Sequence, residues 1–281
     1  MYVVLGAAGN VGSSVVEALK PSGEKILAIV HSEKKAAALS GGNVEAVVQD
    51  VSDTEGLRAV FRRAKHAFLL NPPAAPATDT NAEELKTARS IAAALEGSGL
   101  EKLVLQSAYG AQQGDGIGDL SVLYELERLV EASGIPAAIN RGAYYFTNLD
   151  MLVEQASQGA ITTPFPADLE IPMVSPTDLG QAAAIRLTSP LADTGLQYVE
   201  GLRRYTFTDV AAAFSSLLGK PVSVETTPRD QLEQSFRQAG FSPTAARAYA
   251  RMTEATIDRP ELPSDPQRGK VTLEAYVAGL G

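Results

Sequence analysis

In the first half of the chain, short apolar runs alternate with stretches whose apolar residues recur at helical spacing. Tyr2–Leu5, Lys25–Val30, Val44–Val48, Ala67–Leu70, Lys102–Leu105 and Ala137–Asn140 are runs of the first kind and predict six strands. Val11–Leu19, Glu33–Leu39, Thr54–Arg63 and the alanine- and leucine-rich Thr78–Gly97 predict the helices between them. The fourth strand stops at Asn71-Pro72-Pro73, because proline cannot donate to the next ladder bond. Strands that are apolar throughout and alternate with helices predict a parallel sheet covered on both faces, an α/β fold of the Rossmann-type, doubly wound kind.

After Arg141 the rhythm changes. Tyr144–Ala156 is expected to be a helix, prolines punctuate Thr163–Pro176, Thr177–Thr188 is a clear helix, and Tyr198–Gly201 is strand-like. Phe207–Leu218, Asp230–Ala239 and Pro243–Ala255 predict a mostly helical remainder. The expected division is a dinucleotide-binding domain over residues 1–148, with return segments near 171–201, and a smaller substrate-binding lobe over 149–281. Between strands five and six, Ala108–Leu120 holds Gly110, Gly114, Gly116 and Gly118 and few apolar residues. It is either a ligand-facing loop at the carboxyl edge or a plain flexible connection.

Composition removes several classes of chemistry. The chain has no cysteine, which excludes disulfides, thiolate metal sites and a cysteine nucleophile. Its two histidines, His31 and His66, are too few for a histidine cage, so no metal site is expected. No apolar run reaches the ~18 residues of a membrane span, and strand-like sequence begins at Tyr2, leaving no room for a signal peptide. A cytoplasmic protein without membrane contact is the expectation. The net charge of −9 repels nucleic acid, so any phosphate site has to be local.

The local phosphate candidate is Gly6-Ala7-Ala8-Gly9-Asn10-Val11-Gly12, a G-x-x-G-x-x-G turn that follows a strand and opens a helix. Gly6 allows the tight turn, Gly9 lets backbone approach a pyrophosphate, and Gly12 lets the helix lie close to the strand. The helix amino terminus adds free N–H groups and a partial positive charge. An NAD-selective fold usually places an acidic residue at the tip of strand two, ~20 residues on. Here strand two ends Ile29-Val30-His31-Ser32, and Lys34 and Lys35 follow, either as point charges for a 2′-phosphate or as a solvated pair on a helix. NADP(H) is therefore the preferred cofactor and NAD(H) the possible one. Asp50-Val51 closes strand three where folds of this kind meet the adenine, although Asp50 is also a candidate N-cap, a role Asp53 can take instead. Ser107, ending strand five, either touches the nicotinamide or ties off the strand. Tyr124 and Arg128, four residues apart on one helix face, are the catalytic candidates, near the tyrosine–lysine spacing of short-chain dehydrogenases, although a simple packing role is the better reading of Tyr124.

Taken together these segments resemble the NmrA-like, atypical short-chain dehydrogenase/reductase family, and within it the type 2 NADPH:quinone oxidoreductases and NAD(P)H azoreductases. Gly6–Gly12 is similar to the family's G-A-x-G-x-x-G turn, and Ala67–Pro73 to its strand-four ending. Leu126–Ile135 is similar to the helix and turn before strand six, and Ser175–Gly180 to the V-x-x-x-D-I-A helix start. Arg141-Gly142-Ala143-Tyr144-Tyr145-Phe146-Thr147-Asn148 resembles the R-P-G-x-F-x-x-N segment. Three positions depart from the family: His31 stands for its usual arginine, Arg128 for its lysine toward the nicotinamide ribose, and Ala143 for a frequent glycine. The resemblance implies a nicotinamide lying near Leu70, Asn71, Pro72, Pro73, Ser107, Arg128, Gly142, Ala143 and Tyr144, with Ala8, Asn10 and Val11 in the phosphate turn. It implies an acceptor stacked among Tyr109, Tyr144, Tyr145 and Phe146 with Asn148 as a polar anchor. The implied activity is NADPH-dependent reduction of quinones or similar small planar electron acceptors by a monomer or homodimer. The family's other outcome is a non-catalytic NADP(H)-sensing regulator.

Overall fold

A computed structural model describes residues 1–258 and 261–281. In chain order the strands are β1 Tyr2–Val4, β2 Ile26–Val30, β3 Val44–Val48, β4 His66–Leu70, β5 Lys102–Ala108, β6 Ala137–Gly142, β7 Tyr144–Tyr145, β8 Ala160–Thr163, β9 Ile171–Val174, β10 Gly195–Glu200, β11 Arg204–Tyr205, β12 Ser223–Thr226 and β13 Gln267–Arg268. The helices are α1 Asn10–Leu19, α2 Glu33–Leu39, α3 Thr54–Phe61, α4 Thr80–Leu95, α5 Asp119–Ala132, α6 Val153–Ser157, α7 Pro176–Thr188, α8 Phe207–Leu218, α9 Leu232–Gln238, α10 Pro243–Asp258 and α11 Leu273–Ala278.

An 8-stranded sheet in the order β3-β2-β1-β4-β5-β6-β10-β13 is parallel at every neighbouring pair. This is the Rossmann-like α/β fold that the periodicity predicts. The chain reverses its direction of progress between β1 and β4, so the crevice outside their carboxyl ends is the place for a ligand. Alternate residues feed two cores, because side chains leave a strand on opposite faces. Ile26, Ala28 and Val30 pack with Val15 and Val16 of α1 and Leu179 and Leu187 of α7. Leu27 and Ile29 pack on the other face with Phe61 of α3, Ile91 of α4 and Leu126 of α5. Helix α7 lies so close to α1 that a β-carbon at Gly180 would sit 2.5 Å from Ser14, which explains a glycine inside a helix. A third core, around Phe146, Leu149, Tyr205, Phe207, Phe214 and Leu273, belongs to the later part of the chain. Among the described residues no helix is long and apolar enough to cross a membrane.

The expectation that fails is the helix over Tyr144–Ala156. Tyr144 and Tyr145 instead form β7, which pairs parallel with Met173 and Val174 of β9. A 3₁₀ segment follows over Phe146–Leu152, and the α-helix is only Val153–Ser157. The buried residues Phe146, Leu149 and Leu152 recur every third position, which suits the three residues per turn of a 3₁₀ helix. The proline-punctuated Thr163–Pro176 likewise contains a strand, Ile171–Val174, whose four residues are all buried. Strand β5 runs to Ala108 rather than Leu105, and β6 to Gly142 rather than Asn140.

Candidate functional site

The carboxyl ends of β1 to β6 bring the glycine turn, His31, Asp50, Asn71–Pro73, Ser107 and Gly142–Tyr144 to one edge of the sheet. At its centre Gly6 takes φ +67°, a left-handed conformation suited to glycine, and a β-carbon there would lie 3.1 Å from the Leu70 side chain of β4. Ala7 N–H donates to Ile29 O at 3.0 Å and Gly9 N–H to Gly6 O at 2.9 Å, which fixes the turn. A β-carbon at Gly12 would overlap the carbonyl of Gly6, so glycine there sets how closely α1 approaches the strand. Helix α1 starts at Asn10 behind Gly9, with no side-chain cap and no acidic residue in its first turn. Gly9 and Asn10 are exposed, whereas Val11 is buried in the core. An uncapped, accessible helix amino terminus leaves several N–H groups for an outside anion.

His31, Lys34 and Lys35 are exposed at the end of β2 and the start of α2, and no hydrogen bond or ion pair joins their side chains to another described residue. At the end of β3, Asp50 accepts from Ser52 N–H and Ser52 Oγ, both at 2.8 Å, and these bonds hold its carboxyl below the usual range. The cap of α3 is Asp53, which accepts from Gly56 N–H at 3.0 Å. Asp50 is therefore free of that duty. Val51 is half-buried beside it.

Asn71 is oriented by α4. Its Nδ2 donates to Glu84 O at 2.9 Å, and Thr87 Oγ1 donates to Asn71 Oδ1 at 2.9 Å. A cavity of about 270 Å³ opens beside it, lined by Pro72, Pro73, Ala74, Thr78, Glu84 and Thr87 among others. Glu84 is only 4% exposed and accepts from Ala74 N–H at 2.9 Å. Burial, and then the neighbouring Asp119, push its carboxyl up to about 8. Burial raises Asp119 as well, and Tyr249 donates to it at 3.4 Å.

On the far side of the edge, Ser107 is engaged with a residue that sequence reasoning missed. Its Oγ donates to Glu127 Oε1 at 2.5 Å, and Arg141 clasps the same carboxylate through Nε at 2.9 Å and Nη2 at 2.8 Å. Glu127 and Arg141 are both largely buried, the setting in which such a two-pronged pair is rigid. Gly142 has no room for a side chain, since a β-carbon would lie 2.7 Å from Gln106 Nε2. Ala143 is buried in the core beside it.

The aromatic candidates part company. Tyr109 meets Tyr198 edge-on at 5.2 Å, and its hydroxyl is buried without a partner among the described residues. Tyr144 packs on Phe165 and Phe207 and has its phenol pushed up to about 12 by burial. Tyr145 is half-buried, with burial pushing its phenol up, and Asn148 is exposed. Phe146 does not join a stacking surface: it is sealed in the third core between Tyr205 and Tyr276, at 5.8 and 5.3 Å. Nor is Arg128 brought to this edge network. It projects from the exposed face of α5 and pairs with Glu131, while its neighbour Glu127, turned about 100° around the helix, faces the strands. Tyr124 is half-buried on α5 with no hydrogen-bond partner among the described residues.

Periodicity held a signal for two of the missed residues. Glu127 belongs to the inward face marked by Leu126 and Val130, and Glu84 to the stripe Thr80, Ala88, Ile91 and Leu95. A carboxylate on an apolar stripe implies a buried partner. Glu261, which accepts from Gly110 N–H at 2.6 Å, carried no such signal.

Comparison with known proteins places this architecture. The NAD(P)H azoreductase of Xenophilus azovorans is 22% identical over 249 residues, covering 88% of this chain and 84% of that protein. The triphenylmethane reductase of Citrobacter sp., solved with NADP(H), superposes with a TM-score of 0.83 at 21% identity over 100% of both chains. The NADPH-dependent quinone oxidoreductase of Escherichia coli superposes with a TM-score of 0.80 at 20% identity, covering 100% of this chain and 99% of that one. The sequence profile of the NmrA-like family matches residues 2–262, nearly the whole length, and the chain belongs to that family.

Proposed function

We propose that the protein is an NAD(P)H-dependent reductase that prefers NADP(H), admits NAD(H), and passes hydride to quinones or similar small planar acceptors. The observation that carries this reading is the uncapped, accessible amino terminus of α1 at the point where strand order reverses. The named reductases of the same fold support it.

The residues present fit the dinucleotide. Gly6, Ala8, Gly9, Asn10, Val11 and Gly12 would hold the pyrophosphate on backbone N–H groups, the close approach depending on Gly12. His31, Lys34 and Lys35, unpaired and exposed, would meet the 2′-phosphate, and Asp50 with Val51 the adenine. Leu70, Asn71, Pro72, Pro73, Ser107, Gly142, Ala143 and Tyr144 would border the nicotinamide. When bound, the reduced nicotinamide supplies the hydride. The protein's part is orientation: Glu84 and Thr87 fix Asn71, and Glu127 fixes Ser107 and Arg141, so the walls of the site do not shift as the two rings meet. Tyr109 and Tyr145 would flank the acceptor. In this reading residues 1–148, with the returning segments near 171–201, carry the cofactor, and 149–281 shapes the acceptor side.

Titration with NADPH and NADH, followed by NADPH oxidation against a panel of quinones and azo dyes, tests the proposal. Tight NADPH binding with no turnover of any acceptor would overturn it in favour of a dinucleotide-sensing regulator.

A further inference from the structure

Three donors from separate parts of the chain converge on one carboxylate that comes from far along the sequence. Glu261 follows α10, yet its Oε2 accepts from the Gly110 N–H just beyond β5 at 2.6 Å. Its Oε1 accepts from the Tyr198 hydroxyl of β10 and from Arg141 Nη1 of β6 at 3.3 Å. The side chain is 28% exposed, shielded but within reach of solvent. Beside it stands Tyr109, edge-on to Tyr198, with its buried hydroxyl unpartnered.

The charges around this point balance only while Glu261 is in place. Arg141 is held by Glu127 and Glu261. Arg204 and Arg268 both reach the fully buried Glu200, each at 3.2 Å. Three guanidinium groups thus face three carboxylates, and withdrawal of Glu261 leaves one positive charge and a phenol and an amide N–H without acceptors. Burying unpaired donors and charge is costly, so the space calls for an anion whenever Glu261 leaves it.

We propose that Gly110 N–H, Tyr198 and Arg141 form an anion subsite, occupied in the resting chain by Glu261, and that a carboxylate-bearing acceptor binds by replacing it. The inference rests on the reading that this edge of the sheet receives the acceptor. Exchange of one carboxylate for another keeps the charge and every hydrogen bond. A neutral acceptor cannot make that exchange and leaves Glu261 where it is. Because Glu261 is tethered, it competes at an effective concentration in about the millimolar range, which keeps the affinity for free carboxylates low in the unaltered protein.

The test is calorimetric titration of the full chain with benzoate, with benzamide as the neutral control. Glu261→Ala is expected to bind benzoate at least ~10-fold more tightly than the unaltered protein, with benzamide unchanged. Adding Tyr198→Phe to that variant is expected to remove most of the gain. Equal benzoate affinity before and after Glu261→Ala overturns the proposal, as does an equal gain for benzamide, which would mean only that space had opened. If circular dichroism shows Glu261→Ala unfolded, Glu261→Gln, which keeps size and loses charge, must show the same preference for benzoate over benzamide, and its absence overturns the proposal equally. No turnover enters the measurement, so a failed benzoate titration leaves the reductase reading intact, and a failed acceptor screen leaves the titration readable.

Discussion

Replacing Glu84 with glutamine should flatten the pH dependence of stability. Glu84 is nearly inaccessible, lies against Asp119, and holds its proton up to about 8 because burial and that neighbour disfavour the anion. The unfolded chain releases the same proton near the ordinary glutamate value of 4.5. Between these values the folded state binds more protons, so stability is full below the lower value and declines as pH rises through the upper one. The decline reaches at most about 1.4 kcal/mol per pH unit. Glu84 lines a cavity open to the surface and shares its titration with Asp119, so half of that or less is expected to survive, about 2 kcal/mol between about pH 5 and pH 8. Glutamine keeps an oxygen for the Ala74 N–H and offers Asp119 a donor, yet it has no proton to lose. Urea unfolding of both proteins across that range measures the difference. The curves should diverge, with Glu84→Gln gaining on the unaltered protein as pH rises. Parallel curves would refute the claim that Glu84 keeps its proton in the fold.

Gly9→Asp puts bulk and a negative charge at the exposed amino terminus of α1, and it should abolish NADPH binding, read by fluorescence titration, while circular dichroism stays unchanged. Unchanged affinity would mean that the turn is structural only. Lys34→Ala with Lys35→Ala should lower NADPH affinity about tenfold, the worth of roughly 1.4 kcal/mol, and leave NADH affinity as it was. An equal loss for both would reject the 2′-phosphate assignment. Phe61→Ala empties a fully buried position in the core beneath α3. It should cost about 3–5 kcal/mol in chemical denaturation, and a loss below about 1 kcal/mol would mean that this face is loosely packed.

The half of the fold that could be read from the sequence owes its legibility to the parallel sheet. Strands such as Ile26–Val30 are buried on both faces, so each is written as an unbroken apolar run. The glycine turn was legible for a related reason: Gly6 and Gly12 are required by backbone geometry that no other residue satisfies cheaply. Tyr144–Ala156 misled because Phe146, Leu149, Leu152 and Ala156 satisfy helical spacing, while the three-residue repeat among the first three is also that of a 3₁₀ helix. The decisive fact, the pairing of Tyr144 and Tyr145 with Met173 and Val174, lies in a distant segment. Two-residue strands such as β11 and β13 exist only through their partners and leave no periodic trace.

The site divides along the same line. The glycine turn, set by backbone geometry, was legible, whereas residues defined by charge pairing were legible on one side only. Arg141 was singled out within its segment, yet its two partners sit on α5 and beyond α10. Arg128 drew attention as a cation on the right helix, but the inward-facing residue of that turn is its neighbour Glu127. The physical reason is the acidic balance of the chain. With 33 acidic against 24 basic residues, a carboxylate is unremarkable in sequence. Its meaning depends on whether water or a guanidinium surrounds it, and only the tertiary structure specifies that. Glu84, Glu127, Glu200 and Glu261 are therefore distinguished by burial and partner rather than by spacing. Three of them neutralise arginines, and the fourth keeps its proton beside Asp119. Pairing and protonation thus remove the charge of these four, while the ionised Asp50 and the unpaired Lys34 and Lys35 stay at the ends of β3 and β2.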